Sequence, residues 1–167
     1  MPATTSHGPM LPLVAVAAVG SLLLAARADA QTPARNKAAV QAKFDAWAAG
    51  AGSPFELLAD DATWTIEGRS AASRTYPSKA AFLREVIEPF NARLSVGLKP
   101  TVRSLTAEAD RVVILFDASG TARDGRPYVN SYAWFFRMRG GRVVVANAFY
   151  DALTFDDLWS RLSVAPQ

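Results

Sequence analysis

Residues 112–138 read VVILFDASGTARDGRPYVNSYAWFFRM. Two runs rich in β-branched and aromatic side chains flank Asp124-Gly125, a pair that favours a tight hairpin because both positions tolerate the left-handed backbone. Working outward, residues 101–106, 112–122, 127–138 and 143–150 read as four strands joined at Ala109-Asp110, Asp124-Gly125 and Gly140-Gly141. With two-residue loops, Phe116, Ala133, Phe135, Val145 and Phe149 share one parity, and Leu115, Trp134, Phe136, Ala146 and Ala148 share the other. A sheet with one wet face alternates polar and apolar residues. Here both faces ask for cover, one from helices and the outer one from a second copy. A homodimer through the outer sheet face is the expectation.

Upstream, helix signals dominate. Thr32-Pro33 offers an N-cap followed by proline at the first helical position, and Val40, Phe44 and Trp47 follow at helical spacing until Gly50 and Gly52. Ser53-Pro54-Phe55-Glu56 is a capping box opening a short second helix. Asp60-Asp61 reads as the turn that ends it, before a strand over residues 62–67 carrying Trp64 and Ile66. Residues 68–77 form an irregular connection. Ser78 caps a third helix with Ala81, Phe82, Val86 and Ile87 inward, kinked or restarted at Pro89 before Phe90 and Leu94. Thr154-Phe155-Asp156-Asp157 opens a last helix through Leu158, Trp159 and Leu162. Helices first and strands later give an α+β domain with its helices on one sheet face.

The chain has 167 residues, enough for one domain with its own core, and 20% charged residues with 10% aromatics exclude intrinsic disorder. Eighteen Lys and Arg face 15 Asp and Glu, and the basic residues are scattered, so no nucleic-acid footprint is expected. Residues 11–26 carry no charge and precede Ala28-Asp29-Ala30, a small-x-small cleavage pattern. Residues 1–30 are read as a signal peptide and 31–167 as the domain, making the protein periplasmic or secreted, with an uncleaved membrane anchor as the alternative. The only His is His7 and there is no Cys. A cleaved chain therefore excludes histidine relays, thiol catalysis and histidine- or thiolate-held metal, and no metal or other cofactor is expected. Proton transfer must come from Asp, Glu, Tyr, Lys or water.

The string Phe55-Glu56-Leu57-Leu58-Ala59-Asp60-Asp61-Ala62-Thr63-Trp64, followed by hairpins and ending in Gly141-Arg142-Val143-Val144 and Phe149-Tyr150-Asp151, resembles the SnoaL-like group. That group belongs to the nuclear transport factor 2-like superfamily, which also contains ketosteroid isomerases. The resemblance covers residues 35–163. It implies a cone-shaped nuclear transport factor 2-like fold: a curved antiparallel sheet wrapped by three helices from the N-terminal half plus a short C-terminal helix, with a deep apolar pocket. Its register implies that the three ketosteroid isomerase catalytic positions fall on Phe44, Ile66 and Trp134, so steroid-isomerase chemistry is not expected. Glu67 would reach the base position only through a bulge that flips strand parity.

The same register implies a pocket wall of Trp64, Ile66, Tyr132, Trp134 and Phe136, continued by Ala146, Ala148 and Tyr150. It adds Asp117 and Ser119 as polar members. In SnoaL-like polyketide cyclases an aspartate near the end of the last long strand is the acid–base group, and Tyr150-Asp151 resembles that position. A carboxylate in such a pocket would have a raised pKa, as a proton shuttle at neutral pH requires. The structural alternative is that Asp151 caps the last helix. Asp117 orients a substrate or makes a buried structural hydrogen bond to Tyr132, Asn130 or Arg123. Arg69, Arg74 and Tyr76 would border the pocket mouth. The function expected is an exported protein that binds a small hydrophobic molecule. If an enzyme, it is a cofactor-free isomerase, cyclase, dehydratase or hydrolase with Asp151 as catalyst and Asp117 and Tyr132 orienting the substrate. The alternative is a non-catalytic ligand-binding or protein-interaction domain.

Overall fold

The computed structural model describes the backbone of residues 15–163 and side chains from Thr32 to Ser163. Helix α1 (Ala15–Ala48) is followed by a 3-10 helix (Pro54–Leu57), β1 (Leu58–Ile66) and the two-residue strand β2 (Thr75–Tyr76). Next come α2 (Lys79–Phe82), a π turn (Leu83–Ile87) and α3 (Glu88–Asn91), one continuous helical run. Strands β3 (Leu94–Glu108), β4 (Arg111–Ala122), β5 (Pro127–Arg139) and β6 (Arg142–Tyr150) form the meander, and α4 (Ala152–Arg161) closes the chain.

One six-stranded sheet runs β2-β1-β6-β5-β4-β3. Its pairs are antiparallel except β1 beside β6, which is parallel, so the sheet is mixed. Register shifts between Leu94 and Val96, Val96 and Lys99, and Val102 and Ser104 bend β3, because each extra residue raises local twist. Gly120 makes the bend possible: a Cβ there would stand 2.7 Å from the Val96 carbonyl oxygen. The sheet's concave face carries the core, with Trp64, Ile114, Phe116, Ala146 and Ala148 all at 5% exposure or less.

Several local readings change. The first helix does not start at Thr32: α1 runs through Pro33, because helix-favouring alanines lie on both sides of it. Asp60 and Asp61 sit inside β1 rather than in a turn. Ser53 and Glu56 make the expected capping box, and Ser78 caps α2 by accepting from the Ala81 amide. The third helix restarts at Pro89: a π turn ends at Ile87, and Pro89 stands in the first turn of α3, where its missing N–H costs no intrahelical bond. The last helix is capped by Asp151, three residues before the expected Thr154. Arg93, 7% exposed, stacks on Trp159 at 4.1 Å and donates to the Trp159 and Pro89 carbonyls, tying α4 to α3. Among the described residues no helix is long and apolar enough to cross a membrane. The expected signal, residues 1–30, lies outside the residues whose side chains are described.

The central hairpin decides which residues face inward. Its loop holds three residues, Arg123 to Gly125: the Gly125 amide donates to the Ala122 carbonyl, the Ala122 amide donates to the Arg126 carbonyl, and Gly125 has φ +82°. The third residue shifts β4 by one position, so Phe116 pairs with Tyr132 and Ile114 with Trp134. Phe116 therefore belongs to the concave face, while Leu115, Asp117 and Ser119 belong to the convex one.

Candidate functional site

A cavity of about 460 Å³ lies between the end of α1, the 3-10 helix, the α2–α3 run and the concave faces of β1, β5 and β6. Its walls are rings. Trp47 stacks parallel to Trp134 at 6.4 Å, Trp64 stacks on Phe82 at 4.3 Å, and Phe55 meets Trp64, Phe82 and Trp134 at 5.5–5.8 Å. Each strand contributes every second residue: Trp64 and Ile66 from β1, Tyr132 and Trp134 from β5, Ala148 and Tyr150 from β6. The small Ala148, opposite Trp134 and Ile66, leaves the space that a larger side chain would fill. The rim is built by Gly50, Asn91 and the bent stretch Val96, Gly97, Leu98 and Lys99.

Six of the residues expected in the wall are there: Trp64, Ile66, Tyr132, Trp134, Ala148 and Tyr150. Phe136 and Ala146 share the concave face but lie beneath the wall as core, 4% and 0% exposed. Asp117 and Ser119 are not in it. The one-residue shift of β4 turns both outward, where Asp117 accepts from Ser131 at 2.6 Å and meets Arg103 at 3.5 Å; none of the partners expected for it is involved. Phe44, Ile66 and Trp134 are all buried, at 1%, 4% and 5% exposure. Glu67 stays outside the cavity, accepting from Asn147 at 2.7 Å, with no parity-flipping bulge at Ile66. The loop with Arg69, Arg74 and Tyr76 does not border the mouth: Arg74 pairs with Glu85, and Tyr76 is buried with its hydroxyl on the Ala72 carbonyl. Phe55, Phe82, Phe90 and Phe155 join the wall without having been singled out. Their helical spacing marks them as core-facing, and nothing in a linear pattern distinguishes a filled core from a hollow one.

Asp151 is exposed and does not line the cavity. Its carboxylate accepts from the Leu153 and Thr154 amides and, at 2.7 Å, from the Thr154 hydroxyl. These bonds, the Thr154 hydroxyl foremost, hold its pKa below the ordinary value, opposite to the expected direction. The geometry is that of a helix cap.

The polar groups inside the cavity are few. The indole N–H of Trp64, a residue 2% exposed, is the one buried side-chain nitrogen or oxygen among the described residues with no hydrogen-bond partner. The Tyr132 hydroxyl bonds Tyr128 at 3.2 Å, and the Tyr150 hydroxyl bonds Ser70 at 2.8 Å. Burial drives both tyrosine pKa values upward, so each stays a neutral hydroxyl. No carboxylate lines the cavity, and Lys99 at the rim is its single cation. Among the described residues no cluster of His, Asp or Glu could hold a metal ion.

A family model described as the SnoaL-like domain matches residues 33–146. Among solved structures, Bal32a from a soil-derived mobile gene cassette superposes with a TM-score of 0.64 at 19% identity, covering 77% of this chain and 98% of its own. An NTF2-like protein from Burkholderia pseudomallei gives 0.62 at 17% identity, covering 75% and 98%. TerC, co-crystallised with polyporic acid, gives 0.59 at 19% identity, covering 75% and 98%. At these identities the likeness is one of fold. No curated protein matches the sequence.

Proposed function

Because this chain belongs to the SnoaL-like family, we propose that its cavity binds one small, flat, mostly apolar molecule. The observation that carries this reading is the ring-walled hollow of about 460 Å³. A cavity of this size and lining suits a ligand of a few fused or linked rings. TerC, a neighbour in fold, was crystallised with polyporic acid, which supports the same use of the cone.

Binding, rather than carboxylate catalysis, is the function the geometry favours. The acid–base role expected of Asp151 would require its carboxylate to leave the cap of α4 and enter the cavity, and Asp117 faces the opposite side of the sheet. The test is native mass spectrometry of protein purified from its own host, beside an Ala148→Trp variant. A retained small molecule that the variant lacks supports the reading. An empty wild type that also binds no aromatic probe ends it.

Two further expectations join this proposal. Export with cleavage before Gln31 would leave Thr32-Pro33 opening α1, and the intact mass of the host-purified protein reports it. A homodimer through the convex face would cover Phe135 and Phe149, which are 42% and 48% exposed and meet edge to face at 5.8 Å.

A further inference from the structure

We propose that the cavity selects a ligand hydroxyl, which accepts a hydrogen bond from Tyr132 and donates one to Tyr150. This rests on the reading of the cavity as a small-molecule site. The two tyrosines are direct cross-strand partners on β5 and β6, their rings 6.0 Å apart. Two hydrogen-bond chains end on their hydroxyls, and the chains run in opposite senses.

The first chain starts at a backbone amide. The Asp151 N–H can only donate, so the oxygen it meets on Asn130 at 3.0 Å is the amide carbonyl. The Asn130 nitrogen then donates to the Asp151 carbonyl at 3.0 Å and to the Tyr128 hydroxyl at 3.0 Å. Tyr128 is 2% exposed, and the one acceptor left for its hydrogen is the Tyr132 oxygen at 3.2 Å. Tyr132 thus accepts from Tyr128, and its own hydrogen is free for the cavity that it lines.

The second chain ends on a carbonyl. The Ser73 hydroxyl donates to the Glu67 carbonyl at 3.3 Å and accepts from the Ser70 amide at 2.8 Å. Placing the Ser73 hydrogen on the Glu67 carbonyl, which satisfies that acceptor, leaves Ser70 as the donor in the 3.0 Å contact between the two serines. Ser70 then has only a lone pair for Tyr150, and Tyr150 is the donor in their 2.8 Å bond. What Tyr150 has left for the cavity is an acceptor.

A neutral phenol, enol or alcohol satisfies both groups. A ketone or an ether meets Tyr132 alone. A carboxylate would set its charge against the Tyr150 lone pairs in an apolar cavity. Ser70 is a positioning residue: it does not line the cavity and acts by fixing which way the Tyr150 hydrogen points.

Calorimetric titration of the wild type with 2-naphthol, 2-methoxynaphthalene and 2-naphthoate tests this. 2-Naphthol is expected to bind about tenfold tighter than the methyl ether, the scale of one buried hydrogen bond, with 2-naphthoate weakest. Tyr150→Phe should weaken 2-naphthol alone and remove the preference. Ser70→Ala frees the Tyr150 hydrogen to turn inward and should bring the ether up towards 2-naphthol. Comparing ratios between variants cancels the probes' own hydration difference. Equal wild-type affinity for phenol and ether overturns the selectivity while leaving the binding cavity in place, as does a preference that survives both substitutions. If no probe binds at all, the small-molecule reading falls and this inference with it.

Discussion

Asp151 shows how one side chain can be claimed by two readings that make opposite statements about its pKa. A pocket carboxylate would titrate high, whereas a cap held by two amides and a hydroxyl titrates low. The sign follows from linkage: with the folded pKa below the ordinary 3.8, the unfolded chain binds more protons between the two values. Its stabilisation is therefore complete above about pH 4 and is lost as the pH falls through the folded pKa. Asp151→Ala should cost about 1 kcal/mol at pH 7, while Asp151→Asn, itself a good cap, should cost less and lose that acid dependence. Thermal melts from pH 2.5 to 7 measure both. Tyr132→Phe makes a second prediction at this scale. It strands the buried Tyr128 hydrogen and should cost about 1–2 kcal/mol in denaturant unfolding, over and above any loss of ligand affinity.

Among the elements, the strands and helices were legible because their patterns are local. Gly140-Gly141 has both residues at positive φ, 56° and 75°, as a two-residue hairpin loop demands. Asp124-Gly125 carries the same sequence signal but a different loop. Adding Arg123 to it makes a three-residue loop that ends on a left-handed glycine, and that single residue moved Asp117 and Ser119 from the expected pocket to the outer face. No residue in the loop announces the difference, because both loop types accept the same amino acids. The close approach of β3 to β4 is likewise a property of the pair. Gly120→Ala would put a Cβ 2.7 Å from the Val96 carbonyl oxygen and force it outward, which should destabilise the fold by about 1–3 kcal/mol and loosen the cavity rim formed by Val96 to Lys99. Thermal denaturation reads the first effect, and ligand dissociation rates read the second.

Taken whole, the molecule divides its apolar surface between an inner hollow and an outer patch, and the two should be separable by mutation. Ala148→Trp fills the hollow and should abolish probe binding without changing the sedimentation coefficient. Phe149→Lys places a charge on the convex face and should yield monomers that still bind probe, measured by analytical ultracentrifugation and calorimetry on the same samples. The sequence by itself determined the order of helices and strands, two of the three capping sites, and the alternation that puts Trp64, Tyr132, Trp134, Ala148 and Tyr150 on one face. Periodicity, caps and turns act over a few residues, so they are written where they act. The tertiary structure alone decided that the core is hollow, which way β4 faces, and in which direction each tyrosine offers its hydrogen. Those outcomes depend on groups 21 and 80 residues apart, such as Asn130 with Asp151 and Ser70 with Tyr150, whose meeting is fixed by the folded sheet and by no local pattern.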